Sequence, residues 1–446
     1  MTDLFAARTQ MAMSLGFHII FAEIGIGMPL MMLLAEWRWT RTGDRVYLDL
    51  ARRWAKGVAI LFAVGAVSGT VLSFELGLLW PGFMKFAGAI VGLPFSLEGF
   101  AFFTEAIFLG VYLYAWDRIS QRAHLLAGVV VAVSGAASAV FVVMVNAWMN
   151  TPTGVTMVDG RIAAIDPIAG MLSPAAFPQA LHMVLAAYAA TGLAVAGIHA
   201  WMLLRGASPA FHRKALVIAL WVGAPAAILQ PLSGDISARL VATSQPVKLA
   251  ALEGQFATER GAPLRIGGWP DEQAGTTRYA LEIPHGLSLL AYHSWNAEVK
   301  GLDDVPRADR PPVAPVHISF QIMVALGSAM ALVALWAGWA GWRRRDITAQ
   351  PWLLRALAVT APFGFLATEA GWMVTEVGRQ PWVVQGLLRT ADAVTPMPGL
   401  IVPLTVFSLL YLVLGAVVVA LIAAMVRDTA GEHTDTPMPA AAPPAV

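Results

Sequence analysis

The stretch E-A-G-W-M-V-T-E-V-G-R-Q-P-W, Glu369 to Trp382, begins inside an apolar run and ends in a Gly-Arg-Gln-Pro-Trp turn. Glu369 and Glu376 stand seven residues apart. That is close to two helical turns, so a helix presents both carboxylates on one side. An ionisable side chain within a bilayer is costly and marks a functional site. Hydrogen-bonded structure, proton handling and ion binding are all open to these two residues on spacing alone.

The chain around them has the composition of a membrane protein, with 58% hydrophobic and 13% charged residues over 446 positions. A formal net charge of +1, without a long basic tract, points to no nucleic-acid partner. The chain has no cysteine, which excludes a disulfide, an Fe–S cluster, a thiolate haem ligand and a C-x-x-C-H haem attachment. The first apolar run lacks a basic leader and a small-residue cleavage site, and it carries His18 and Glu23. It reads as a retained first span.

Nine runs are long enough to cross a bilayer, near 12–35, 55–79, 94–116, 124–147, 180–204, 214–233, 316–340, 353–376 and 400–426. The expected fold is an all-α integral membrane bundle of about nine helices. Helices 1–6 fill 1–233, an external loop 234–315, helices 7–9 316–426, and a disordered cytoplasmic tail 427–446. Sixteen Lys and Arg fall in one set of alternate loops and five in the other, with the long 234–315 loop set aside. The N-terminus is therefore expected outside and the C-terminus inside. No internal repeat is evident.

This topology gathers His18, Glu98, Glu105, His182, Met323, Glu369 and Glu376 into one outward-facing layer. Imidazole and thioether are haem ligands, and a His/Met pair is an electron-transfer arrangement. His182 with Met323 is a candidate pair, and His18 a candidate lone ligand. A hydrogen-bonded core histidine and a packing methionine remain open for each. Arg379 is a surface ion-pair partner or a propionate binder. His124, His199, His212 and His433 fall in or near inside loops and read as solvated. Lys248 and Glu253, on a short helix over 248–253, gain no role from spacing.

An ordered series of motifs then resembles subunit I of the cytochrome bd-type quinol oxidases. The pieces are G-F-H-I-I-F around His18, F-E-L-G at 74–77, L-E-G-F-A-F-F-T-E at 97–105 and W-D-R at 116–118. They continue with N-A-W-M-N-T-P at 146–152, K-L-A-A-L-E at 248–253, I-M-V-A at 322–325 and the opening stretch at 369–382. The resemblance implies oxidation of membrane quinol and reduction of O₂ to water in a bacterial plasma membrane. It implies two haems b and a haem d, or a third haem b.

By match, His182 and Met323 resemble the axial ligands of the low-spin haem b. His18 resembles the ligand of the O₂-reducing haem, and Glu376 that of the second high-spin haem. Trp372 and Arg379 lie beside the haems, Glu98 and Glu105 in the haem pocket and proton path, and Lys248 and Glu253 in the quinol loop. Glu369 fits structure or proton handling. The family pairs this subunit with a second membrane subunit, and a small single-span subunit is also allowed. Gln321 stands where better-known members carry an arginine, the quinol loop is short, and G-I-G-M-P follows His18 at a short interval. These departures suggest a divergent branch.

Two other readings compete. A haem-binding electron-transfer subunit with another acceptor shares every feature except the chemistry at His18. A proton-coupled transporter predicts repeats and broken helices at the midplane, whereas this layer is off-centre.

Overall fold

The computed structural model describes residues 2–159, 161–207, 209–343 and 346–431. His433, Arg344, Arg345 and most of the expected tail lie outside the described residues. Within them, nine segments are long and apolar enough to cross a membrane. Helix α1 (Asp3–Thr42) starts on the Thr2 side chain and stops at Gly43, which takes the left-handed conformation at φ +68°. Asp44 caps α2 (Arg45–Leu78), and Pro81 opens α3 (Pro81–Tyr114), where its missing N–H costs nothing. There follow α4 (Gln121–Asn150), α5 (Ala176–Leu204) and α6 (Pro209–Ser244). The short α7 (Pro246–Glu253) precedes α8 (Val313–Trp342). The eighth span is two helices, α9 (Pro351–Thr360) and α10 (Phe363–Val377), interrupted at Ala361-Pro362, and α11 (Ile401–Gly431) ends the described chain.

Two expected boundaries are corrected. Helix α6 runs past 233 to Ser244, because the Asp235–Arg239 pair supports an extra polar end one turn apart. It stops where Gln245 precedes Pro246, a position that disfavours helix. Residues 427–431, expected in the disordered tail, continue α11.

Helix α1 lies against α2, α4, α5 and α11, while α5 pairs along α6. Gly192 and Gly223 set that approach: a Cβ on Gly223 would lie 2.8 Å from the Gly192 carbonyl carbon. Helices α5 and α8 each pack along both α6 and α10, yet hardly touch one another. Beyond α7 the chain forms a nested ribbon. Residues 259–260 pair with 298–299, 264–266 with 281–283, and 269–271 with 276–278, all antiparallel. Gly267 and Gly268, at φ +67° and +98°, supply the hinge between two of its strands.

Candidate functional site

His18 on α1 places Nδ1 2.9 Å from Ser68 Oγ on α2. The Ser68 hydroxyl donates to its own helix, at Val64 O (3.0 Å) or Gly65 O (3.1 Å). Its remaining capacity is to accept, so Nδ1 carries the ring hydrogen and Nε2 the lone pair. His182 on α5 repeats the arrangement. Its Nδ1 is 2.9 Å from Ser233 Oγ on α6, and that hydroxyl donates to Gln230 O at 2.8 Å. The Gln230 amide donates to His182 O at 3.1 Å and lies across the ring, 3.3 Å from Nδ1 and 3.1 Å from Nε2.

A glycine follows each serine. A Cβ on Gly69 would lie 3.0 Å from His18 Cε1, and one on Gly234 3.5 Å from His182 Cε1. The chain thus contains a local repeat that the sequence reading missed: a histidine, then Ser-Gly fifty or fifty-one residues later on the next helix.

Met323 on α8 faces α10, where a Cβ on Gly371 would come within 3.1 Å of its sulfur. His182 and Met323 therefore stand on the two helices that share α6 and α10 as neighbours. On α10, Glu376 accepts from Arg379 Nη2 at 2.6 Å and from the Asn146 amide of α4. Arg379 is almost fully buried, and its Nε and Nη1 have no partner. Trp372, one turn before Glu376, is half-buried.

Glu98 accepts from Ser138 Oγ at 3.3 Å, and Glu105 is buried against Gly135, whose Cβ would sit 3.0 Å from its Oε1. Glu369 abuts Gly16 of α1, and its Oε1 is buried without a partner. Two further buried carboxyls, Glu75 and Glu23, were present in the sequence reading without a role. Glu75 accepts from Gln10 at 2.9 Å and Ser14 at 2.8 Å. Glu23, 1% exposed, lies beside Thr368 and Glu369. The mid-span charge of Glu23 was its signal.

The expected solvation of three histidines is wrong. His124 is buried with Nδ1 2.8 Å from Glu36 Oε1 and Nε2 3.0 Å from Tyr112 O. His199 and His212 are buried and meet at 2.8 Å through their Nδ1 atoms. Their partners come from other helices, which sequence proximity to a loop does not reveal. Gln321 ties α8 to the ribbon, accepting from Gly267 N at 2.9 Å and donating to Arg265 O at 3.1 Å.

Lys248 and Glu253 are both buried on α7 but face different ways. Lys248 lines a cleft of about 200 Å³ with Gln245, Asp309, Arg379, Gln380 and Trp382, which Glu253 does not reach. Burial, with Arg379 nearby, pushes the Lys248 ammonium down to about 7, against the opposing charge of Glu376. Burial pushes the Glu253 carboxyl up to about 8, which Arg265 partly opposes.

The profile of the family described as cytochrome bd terminal oxidase subunit I matches residues 6–430. The chain belongs to this family. A putative cytochrome bd menaquinol oxidase subunit I of Bacillus subtilis (strain 168) is 40% identical over 94% of this chain and 95% of its own length. A cytochrome bd ubiquinol oxidase subunit 1 of the same organism is 32% identical over 98% and 97%. The cytochrome bd-II ubiquinol oxidase subunit 1 of Escherichia coli (strain K12) is 30% identical over 81% and 84%. The bd oxidase structure from Geobacillus thermodenitrificans superposes with a TM-score of 0.90 at 41% identity, covering 96% of this chain and 99% of that one. Subunit I is thus a haem-carrying oxidoreductase of respiratory electron transport. It passes several times through the bacterial plasma membrane and works in a complex with another subunit.

The side chains of this subunit I fit haem. Two imidazoles are each held with Nε2 unprotonated, the form that ligates iron. Arg379 keeps two buried nitrogens, Nε and Nη1, without a partner among the described residues, which suits an anionic propionate. The orienting serines can be tested. If His182 is an iron ligand, Ser233→Ala should weaken haem retention by about 10- to 100-fold, as loss of an outer hydrogen bond to a ligating histidine does. Ser233→Thr should restore it. Haem content and the low-spin absorption band of the purified complex read both.

Proposed function

We propose that subunit I oxidises membrane quinol at the Lys248 cleft and reduces O₂ to water, with three haems held in the half of the bundle nearest that cleft. The observation that carries this reading is the pair of His–Ser-Gly units, which present two ligand-ready imidazole nitrogens on separate helix pairs. The cofactors are two haems b and a haem d or third haem b, supplying one-electron transfer and an O₂-binding position when bound. His182 and Met323 would hold the low-spin haem, His18 the O₂-reducing one and Glu376 the second high-spin one. Arg379 would receive a propionate, and Trp372 would stand beside the haems.

Lys248 orients the quinol, and Glu253 takes up its proton behind the cleft. Glu98, Glu105 and Glu369 hold protons for water formation. With the N-terminus outside, quinol protons leave on the outer side and the protons of water come from inside, so charge separates without pumping. A second membrane subunit of similar size completes the complex, alongside a small single-span subunit.

Because Glu253 must be ionised to accept a proton, and Lys248, pushed down to about 7, must keep its charge to orient quinol, kcat/KM should rise and then fall with pH, with its maximum between about 7 and 8. Glu253→Gln should remove the rising limb and leave the falling one, read as kcat/KM against pH. The function as a whole is tested by quinol-dependent O₂ uptake of the purified complex. Oxygen consumption coupled to quinol loss is expected, and quinol oxidation without oxygen consumption would contradict it.

A further inference from the structure

A directed chain of hydrogen bonds joins the cleft to Glu376, and none of the roles above uses it. Lys248 Nζ donates to Asn150 Oδ1 at 2.8 Å and to Thr375 O at 3.1 Å. Asn150 Nδ2 donates to Asn146 Oδ1 at 2.8 Å and to Asn146 O at 2.9 Å, with Thr375 Oγ1 3.3 Å away. Asn146 Nδ2 donates in turn to Glu376 Oε1. Asn146 and Asn150 are four residues apart on α4, so they share one face. Lys248, Asn150 and Asn146 are all buried, at 5%, 1% and 7% exposure.

The orientation of each amide is dictated. Asn150 must turn its oxygen to the ammonium, since a flipped amide would set two donors against three. Its nitrogen then faces Asn146 Oδ1, which turns the Asn146 nitrogen toward the Glu376 carboxylate. Every link donates in the same direction, from cation to carboxylate. Aligned bonds in a low-dielectric interior polarise one another, so a change at the head alters donor strength at the tail. The backbone oxygen of Asn150 also accepts from Gln245 Nε2 at 2.7 Å, fixing the end of α4 to the residue that opens α7. The side chain of Asn150 is fully engaged by protein. It connects groups and has no capacity left to bind quinol or haem.

We infer that Asn150 is a positioning residue that couples the Lys248 quinol cleft to Glu376. A quinol oxygen drawing on the Lys248 ammonium weakens its bond to Asn150, and the loss passes through Asn146 to the carboxylate. The inference rests on the quinol role of Lys248 and the ligand role of Glu376 proposed above.

The test uses the purified oxidase complex with decylubiquinol and a short-chain menaquinol. It reads KM together with the absorption band and midpoint potential of the Glu376-bound haem. Lys248→Met should raise KM about tenfold or more, as loss of a charged hydrogen bond does, and should also shift the band and potential. Asn150→Asp keeps the shape and the acceptor for Lys248 but cannot donate to Asn146, so it too should shift both. Asn150→Leu should do the same, and Asp serves if Leu prevents assembly. In the Asn150→Leu background, which sets no new charge against Lys248, Lys248→Met should add no further haem shift. A Lys248→Met shift that persists at full size there, or an Asn150→Asp spectrum identical to wild type, would overturn the coupling. An unchanged KM in Lys248→Met would instead overturn the quinol role on which the inference rests.

Discussion

Replacing His18 with alanine is expected to abolish quinol-dependent oxygen consumption while quinol still reduces the low-spin absorption band. His18 offers a single ligand-ready nitrogen, fixed through Nδ1 by Ser68, and its ring edge rests on Gly69. Alanine removes the ligand and leaves Ser68 Oγ without its partner. Loss of the ligand itself should exceed the 10- to 100-fold effect of losing an outer hydrogen bond, so O₂ reduction should fall by more than about 100-fold. The His182 unit stands on a different helix pair, α5 and α6, with its own serine and glycine. Its spectrum should survive. Carbon monoxide difference spectra check this: the CO-sensitive signal should disappear in His18→Ala and the low-spin signal remain.

The second large effect is at His182. His182→Ala should eliminate the low-spin signal and stop quinol oxidation, again by more than about 100-fold. Met323→Leu should be graded differently. Leucine conserves volume beside Gly371 but offers no sulfur, so packing against α10 is kept while the proposed thioether ligand is lost. The expected outcome is a haem retained by His182 whose spectrum turns from low-spin to high-spin. Electron paramagnetic resonance distinguishes the two states, and an unaltered low-spin signal in Met323→Leu would exclude the methionine as ligand.

The span count was legible in the chain because hydropathy over about twenty residues is a strong local signal. Helix ends were not, because they depend on pairs such as Asp235–Arg239 and on the Gln245-Pro246 stop rather than on hydropathy. The candidate ligands were legible as costly residue types in apolar runs, and the ordered motifs assigned their roles. Their supports were not. Ser68 and Ser233 are small and uncharged, and their only signal was the recurrence of Ser-Gly at nearly equal distance after each histidine. The partners of His124 illustrate the same limit: Glu36 lies 88 residues away in sequence, and only packing of α1 on α4 buries the pair. Asn146 and Asn150 stood inside a quoted motif, yet their meaning required Lys248 and Glu376 to arrive from two other helices.

The central claim is that this subunit holds the oxygen-reducing haem at His18 and feeds it from quinol. Reduced-minus-oxidised spectra of the purified complex, with and without carbon monoxide and with quinol as reductant, test it most directly. Three haem signals are predicted, one of them CO-reactive and absent from His18→Ala alone. A CO-reactive signal that persists in His18→Ala, or a wild-type complex without one, would contradict the account.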